Sequence, residues 1–447
     1  MGPDIIFLVL SAGIIGAAIG TFTGLVPGIH VNTAATALLG SYPLMEGIVS
    51  GFCDPSFTPV LISCCIMSAA TVHSFVDFVP SVFIGAPDPD DSLTVLPGHR
   101  LLSEGRGMAA VRAAAIGSAV GSVAALALSV PLQWLMLRGG SEIIDCFTLG
   151  VVTVTLLVIV LVSEDRLVAA ALLILTGLMG MIVNSGTIPV FGIIGGGTLL
   201  FPLLTGLFGL PPLLDTASEG RIPAQRDDGT DPVGPVPGIR GVATGIIAGW
   251  FPGITATAGA TLASAVTREN DPARFISMTA SIGTVTSVFS VVTLSVSGSG
   301  RSGPCMAVKQ VIGESLGGFC SEAFVLILMS MALASLLGYA ATIGAGKMMV
   351  RVSGRISPET MGNAVLALIV ILVLLFTGPF GLAVLVISAA VGRIPPALGV
   401  SRVCLTGCLM VPVVLNAFLY NVRQFKINRR DGSADSDILV PVEIVFK

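Results

Sequence analysis

The sequence predicts an all-α polytopic membrane protein built from two inverted-topology repeats with broken or re-entrant helices. The first observation behind this prediction is the composition: of 447 residues, 53% are hydrophobic and only 11% are charged, and the mean hydropathy is +0.95. A soluble domain carries a charged fraction of about 25%. The other two observations are the recurrence of apolar runs of span length and a glycine-rich stretch that occurs twice.

Apolar runs of about 20 residues are long enough to cross the hydrocarbon core of a bilayer as helices. Such runs recur from one end of the chain to the other, and we expect roughly 11 to 13 membrane segments, some of them half-helices. The predicted segments cover residues 4–26, 30–50, 57–84, 108–137, 143–163, 166–184, 187–210, 239–264, 272–297, 305–345, 360–377, 379–395 and 400–422.

The repeated stretch contains a Pro-Gly pair in both copies. Residues 16–36 read GAAIGTFTGLVPGIHVNTAAT, and residues 241–261, at an offset of 225 positions, read GVATGIIAGWFPGITATAGAT. Nine of the 21 aligned positions are identical. Proline removes a backbone donor and glycine admits unusual dihedral angles, so a helix is expected to break at each pair. Broken helices at matching places in two halves indicate the binding site of a secondary transporter.

Each half has a second polar interruption after its Pro-Gly pair. Gly85–Ser92 reads GAPDPDDS, and Ser297–Pro304 reads SGSGRSGP. We expect the four loop tips to meet in a cavity near the membrane midplane. Small residues around Arg301 suit a carboxylate, because guanidinium and backbone amides both donate hydrogen bonds to it. Helix N-termini after the two Pro-Gly pairs would add partial positive charge.

The predicted substrate-binding residues are the glycines, prolines and polar side chains of these segments. They are Gly24, Pro27, Gly28, His30, Asn32, Thr33, Gly249, Pro252, Gly253, Thr255, Thr257, Ser299, Arg301 and Ser302. Their hydroxyl and amide groups suit substrate oxygens or a sodium ion. The alternative interpretation is that the small polar residues only cap and pack helices, as they often do in membranes.

Five further ionisable residues are candidates for coupling transport to an ion gradient: Asp88, Asp90, Asp91, His73 and Asp77. His73 and Asp77 lie four positions apart, on one helix face inside an apolar span, where ionisable groups are costly and indicate function. The pair acts either as a proton relay or as a structural hydrogen bond. His30 is also a candidate for titration, although its counterpart in the other half is Thr255.

A polar linker divides the chain. Residues 211–240 are rich in proline, glycine and charge, and they separate a first transmembrane repeat, 1–210, from a second one, 241–424. Residues 425–447 form a polar C-terminal tail. Basic residues follow the last predicted span directly, which by the positive-inside rule predicts a cytoplasmic C-terminus in a multi-pass protein of the cell membrane.

Several classes of function are disfavoured. A net charge of −4 does not indicate a nucleic-acid partner. The chain has no HExxH, Walker A or GxSxG motif, so we expect no enzymatic activity. Most of its eight cysteines lie in apolar runs and no histidine or cysteine set has zinc-ligand spacing, so we expect no metal. No cofactor is expected beyond a coupling Na⁺ or H⁺.

Three motifs resemble the large permease subunit of the tripartite tricarboxylate transporters, the TctA-type family. GTFTGLVPGI at residues 20–29 is similar to its early Pro-Gly segment, and GWFPGI at 249–254 is the second-half copy. GAPDPDDSLTVLPGHRLLSEGRGMAAV at 85–111 resembles its Pro-containing loop followed by Gly-Arg before a helix. The acidic cluster after Pro87, the sequence His30–Asn32 and the GSGRSG loop depart from the family pattern, which indicates a divergent branch.

The resemblance implies transport together with a small membrane subunit and an extracytoplasmic solute-binding protein, and a homo-oligomer is compatible with it. We therefore predict a secondary-active permease in the lipid bilayer for a small organic anion of the carboxylate class, driven by a proton or sodium gradient. Two alternatives stay open. A flippase for a lipid-linked phosphate would use the same helix N-termini and Arg301. An intramembrane enzyme would use His73, Asp77 and the three aspartates of the first loop around a metal.

Overall fold

The computed structural model describes residues 3–26, 31, 35, 38–39, 42–51, 54–84, 95–193, 199–211, 214, 223–251, 256–267, 269–298, 300, 302–353, 358–415 and 418. In the first half, the α-helices are α1 (Pro3–Leu25), α2 (Tyr42–Val49), α3 (Thr58–Val76), α4 (Phe78–Ile84), α5 (Val95–Ser103), α6 (Gly107–Leu135), α7 (Ser141–Val162), α8 (Arg166–Asn184) and α9 (Leu200–Leu204). In the second half they are α10 (Val236–Trp250), α11 (Ala256–Thr267), α12 (Pro272–Ser297), α13 (Gly303–Ile312), α14 (Glu322–Ser353), α15 (Pro358–Gly392) and α16 (Ile394–Ala397).

Seven helices of the described part are long and apolar enough to cross a membrane: Ile5–Leu25, Thr58–Ile84, Gly107–Gly140, Arg166–Asn184, Pro272–Ser297, Glu322–Ser353 and Gly362–Ala397. Shorter apolar helices cover Leu149–Val162, Leu200–Gly209 and Arg402–Leu415. The predicted all-α polytopic membrane fold is confirmed. The last long helix is interrupted at Gly378 (φ 72°, ψ −162°), where two separate spans were predicted.

Two predicted spans have a different structure. In the span predicted over 187–210, residues 187–193 are not helical, and the described helix begins at Leu200. The span predicted over 239–264 consists of two helices, α10 and α11, of 15 and 12 residues. At 1.5 Å per residue these helices are about 22 and 18 Å long, too short to cross a hydrocarbon core of about 30 Å.

Helices α10 and α11 form a re-entrant hairpin. Gly259 of α11 lies beside Thr244 and Ala248 of α10, so the two helices run antiparallel. At the open end of the hairpin, Arg240 and Glu269 form an ion pair with a distance of 3.1 Å between Nη1 and Oε2. Both ends of the hairpin are therefore at one level, and its tip is the segment that joins the two helices.

The first long helices of the two halves share one packing pattern. Three glycines of α1, four residues apart, are so close to α3 that an added Cβ atom would meet a backbone carbonyl; the pairs are Gly16 with Cys65, Gly20 with Ala69 and Gly24 with His73. On α10 and α12 the pairs are Gly241 with Met278, Gly245 with Ile282 and Gly249 with Thr286. Each glycine of α1 and its equivalent in α10 are 225 positions apart, and their partners in α3 and α12 are 213 positions apart. Small residues permit this approach, which holds helices together in lipid.

The two halves interleave, because α6 of the first half packs on α12 of the second and α14 of the second packs on α3 of the first. A Cβ atom at Gly117 would meet the carbonyl of Ser277. In the other pair, Ser330 Oγ lies 3.4 Å from the carbonyl of Cys64, while its shorter hydrogen bond of 2.8 Å goes to Ile327 in its own helix. The two contacts are related by the same offset of 213 positions. The repeats are therefore not separate bodies.

The six helices of this core run in two directions. Along the contacts between α1, α3 and α14, the residue numbers of both partners rise in the same direction, so these three helices are parallel. The same holds for α6, α10 and α12. Between the sets, Gly346 late in α14 lies beside Val111 early in α6. Ala119, further along α6, clusters with Ala334 and Leu337, which come earlier in α14. The two sets of three are therefore antiparallel to each other.

Helices α3–α4 and α12 are the centre of the core. In their most apolar 18-residue windows 83% and 78% of the residues are buried, against 28% for α1 and 33% for α8. Hydrogen bonds from small hydroxyls line the α6–α12 contact; for example, Thr284 Oγ1 donates to the carbonyl of Ser118 at 3.1 Å. The contact between these buried helices thus includes polar groups, and many apolar side chains of the outer helices are exposed.

We expect Gly117→Ala to lower the free energy of unfolding by about 1–3 kcal/mol, because the new methyl group meets the Ser277 carbonyl and overpacks the α6–α12 contact. Thermal unfolding in detergent measures this. The matched control is Gly283→Ala in α12, where an added Cβ has nothing within 4 Å. A Gly117 variant as stable as the Gly283 variant would contradict the role of the close contact.

Candidate functional site

The second broken helix ends in a defined way. α10 stops at Trp250, and Phe251 takes an extended conformation (φ −88°, ψ 127°) while its amide donates to the carbonyl of Ile247 at 2.9 Å. The segment 252–255, which carries the second Pro-Gly pair, connects this residue to α11. The helix therefore breaks where the Pro-Gly pair predicts it, at the closed tip of the hairpin.

Hydroxyl groups of α12 hold this hairpin in place. Thr286 Oγ1 lies 3.3 Å from the carbonyl of Gly245, and Thr293 Oγ1 lies 3.1 Å from that of Gly249. Each hydroxyl shares its one hydrogen with a carbonyl of its own helix, Ile282 at 2.7 Å and Phe289 at 2.9 Å. The carbonyl of Gly249 belongs to the last turn of α10, whose carbonyls have no partner within the helix. Thr293 therefore offers a donor to a carbonyl of the last turn of α10, which ties this turn to α12.

The polar loop of the second half begins one turn further along α12. α12 ends at Ser297 and is capped by Gly298 in the left-handed conformation (φ 66°), which favours glycine. Ser302 then opens α13, and its Oγ accepts a hydrogen bond from the amide of Cys305 at 3.4 Å. At 1.5 Å per residue, Thr293 and Ser297 are about 6 Å apart along the axis. The hairpin tip and this loop are thus neighbours.

In the first half, the end of α1 meets the two ionisable residues of α3. Gly24 packs against the carbonyl of His73 and the amide of Asp77. Thr23 Oγ1 lies 3.0 Å from His73 Nδ1, within hydrogen-bonding distance. His73 and Asp77 are 4% and 7% exposed. The structure therefore brings a predicted substrate residue and two predicted ion-coupling residues into one cluster, directly before the first Pro-Gly pair.

The second half has hydroxyls where the first half has these ionisable groups. At the offset of 213 positions, His73 corresponds to Thr286 and Asp77 to Ser290. Ser290 Oγ donates to the carbonyl of Thr286 at 2.8 Å, within its own helix. The two halves thus share this backbone packing but place different side chains on it, a histidine and an aspartate in the first half and neutral hydroxyl residues in the second.

The described ends of the two polar loops are far apart. α4, which leads into the first loop, places Phe83 against Gly107 at the start of α6. Near the second loop, Ser295 Oγ accepts a hydrogen bond of 3.0 Å from Gln133 Nε2, near the end of α6. Gly107 and Gln133 are about 39 Å apart along the helix. The two polar loops thus start at opposite ends of the core. The meeting of all four loop tips concerns residues outside the described part of the chain and stays a prediction.

Four of the predicted substrate residues fall within the described part of the chain: Gly24, Gly249, Thr257 and Ser302. Outside it lie Pro27, Gly28, His30, Asn32, Thr33, Pro252, Gly253, Thr255, Ser299 and Arg301, and so do the coupling candidates Asp88, Asp90 and Asp91. No three histidine, cysteine, aspartate or glutamate side chains converge on a metal site among the described residues.

Sequence reasoning missed three residues of the site. Thr23 and Thr293 contact the ends of the broken helices, yet each is one of many hydroxyls in apolar runs. Trp250 is buried at the hairpin tip (2% exposed) and is one of only two tryptophans in the chain. Its place two residues before the second Pro-Gly pair was the available signal.

The model of the tripartite tricarboxylate transporter TctA family matches residues 10–407, most of the chain. The chain belongs to this family. It is also 27% identical over 303 residues to an uncharacterised protein of Methanocaldococcus jannaschii, an alignment that covers 66% of this chain and 71% of that protein. No solved structure matches the chain. The predicted resemblance is confirmed, and the protein is a multi-pass membrane protein of a transporter family.

We expect Thr293→Val to weaken substrate affinity about three- to tenfold, because the released carbonyl of Gly249 loses its donor and the hairpin tip is no longer held. Thr286→Val is the matched control: it removes a similar bond to Gly245, whose carbonyl is mid-helix. Both variants should lose up to about 1 kcal/mol of stability. Substrate titration of both proteins measures the difference, and equal affinities would contradict an anchoring role at the tip.

Proposed function

We propose that this chain is the permease of a secondary-active transporter that moves a small organic anion of the carboxylate class. The observation that carries the proposal is the α10–α11 hairpin of a TctA-family protein, in which the residues on either side of the second Pro-Gly segment, Trp250, Phe251 and Ala256, are buried. Helical hairpins that end inside a membrane protein place backbone amides and small side chains where no lipid reaches. Such a tip suits an anion that has to be bound and released.

The proposed mechanism uses two inverted repeats. The antiparallel directions of the two sets of core helices, and the offsets of 225 and 213 positions between equivalent contacts, support this arrangement. Under the proposal the anion is held between the broken helices of the two halves, with Arg301 and the helix N-termini after the Pro-Gly pairs as its positive partners. Alternating access then follows from movement of one part against the other, by rocking or by an elevator-type slide.

Coupling to a proton or sodium gradient is proposed at the first-half cluster. The proximity of Thr23, His73 and Asp77 to the end of α1 supports this role, because an ion bound there would change the charge beside the first Pro-Gly segment. A buried ionisable group in a membrane protein is costly and is kept where it has a function. The TctA family also supports a small membrane subunit and an extracytoplasmic solute-binding protein as partners.

A ligand-induced thermal shift on the purified protein tests the substrate class. We expect one or more di- or tricarboxylates to raise the Tm, and the shift to depend on sodium or on pH, because a ligand that binds only the folded state stabilises it by mass action. Phosphorylated polyprenols, screened in parallel at two pH values with and without sodium, represent the flippase alternative. A shift with the polyprenols alone would overturn the carboxylate proposal.

We expect replacement of Pro252–Gly253 by Ala-Ala to abolish transport while the protein still inserts in the membrane, because two helix-forming residues restore the i→i+4 bonds that the break interrupts. The same change at Pro27–Gly28 tests the first half. Uptake into vesicles, normalised to inserted protein, is the measurement. Wild-type uptake by either variant would rule out a site at that broken helix.

A further inference from the structure

The indole of Trp250 is a buried donor without an acceptor. Trp250 is the last residue of α10 and is 2% exposed. Its Nε1 atom is inaccessible to solvent and has no hydrogen-bond partner in the structure of the described residues. A buried tryptophan N–H usually finds an acceptor, and one that is left unsatisfied costs free energy. This side chain therefore needs an explanation.

The place of this donor is independent evidence for a ligand. The residue sits at the closed tip of the re-entrant hairpin, where the backbone leaves the helix at Phe251. Its counterpart in the first half, at the offset of 225 positions, is Leu25, which has no donor. The shared packing of the two halves thus does not require an indole at this position.

We propose that Trp250 Nε1 donates a hydrogen bond to a carboxylate oxygen of the transported anion. The inference rests on the proposed function and adds to it one named donor in the second-half tip. An indole N–H is a donor only, so it suits an anion, which is an acceptor only. Without substrate, the N–H donor is unsatisfied, which costs free energy. Binding of the anion removes this cost and forms a hydrogen bond to a charged group, which is stronger than one to a neutral group.

The chain offers a matched control in its other tryptophan. Trp134, in α6, is 42% exposed, and the guanidinium of Arg138 lies over its ring at 4.2 Å from the centroid. Trp134→Phe leaves Trp250 as the sole tryptophan and turns its fluorescence into a reporter of the tip. Trp250→Phe removes the N–H and keeps an aromatic ring in the core.

The experiment measures binding of a panel of di- and tricarboxylates, citrate and succinate among them, by calorimetry, which does not depend on tryptophan. We expect the best ligand to bind Trp250→Phe at least about tenfold more weakly than wild type, as the loss of a hydrogen bond to a charged group predicts. Trp134→Phe should bind as wild type does, and its emission should shift saturably with the same ligand.

Two results would overturn the proposal and leave the proposed function intact: wild-type affinity in Trp250→Phe, or no change in the emission of Trp134→Phe at saturating ligand. The second measurement needs no change at Trp250 and therefore holds even if Trp250→Phe fails to fold. Absence of binding of every carboxylate to the wild-type protein would instead overturn the proposed function, and this inference with it.

Discussion

Contact between a glycine on one helix and a backbone carbonyl on the next is the interaction on which this structure depends. In a bilayer the lipid tails are as apolar as leucine, so burying apolar side chains does little to join helices, and close packing and interhelical hydrogen bonds take over. Gly16, Gly117 and Gly241 each open one such line of contacts. The short distance between backbones then brings serine and threonine hydroxyls of one helix within reach of the carbonyls of the other, as at Thr293 and Gly249.

This packing positions the candidate site. The helices α10 and α11 of the hairpin are too short to cross the hydrocarbon core of a bilayer, are joined at their open end by Arg240 and Glu269, and are tied near their tip by Thr293. The end of α10 is therefore held by α12, one of the two most buried candidate spans among the described residues. Backbone amides or Trp250 at this end of the hairpin would contact a substrate with little further loss of conformational entropy, because the end is already held in place.

The two halves share backbone packing and differ in chemistry. Where the first half places His73 and Asp77 beside the end of α1, the second places Thr286 and Ser290 beside the end of α10. Trp250 stands where the first half has Leu25. This difference supports a division of roles, with ion coupling near the first broken helix and a neutral donor to the anion near the second.

Much of the architecture could be predicted from the sequence. Apolar run length determined the membrane class and the bounds of α12, predicted at 272–297 and found there. The Pro-Gly repeat determined where α10 ends, because proline and glycine restrict or release the backbone at their own positions. These effects are local, so a single sequence carries them. The segment predicted over 239–264 consists of two helices that run antiparallel, which hydropathy does not predict because it does not distinguish a crossing from a chain that turns back.

Only the tertiary structure decided which helices meet. Ser330 donates to the carbonyl of Cys64, 266 positions away, and Gly117 touches Ser277 of the other half. No local pattern encodes such pairs, because they depend on how helices from different parts of the chain pack. The same holds for Thr23 beside His73 and for the unsatisfied donor of Trp250. The sequence by itself determined the membrane class and the helix break after α10; the fold decided which side chains surround that break, since that is set by contacts between distant residues.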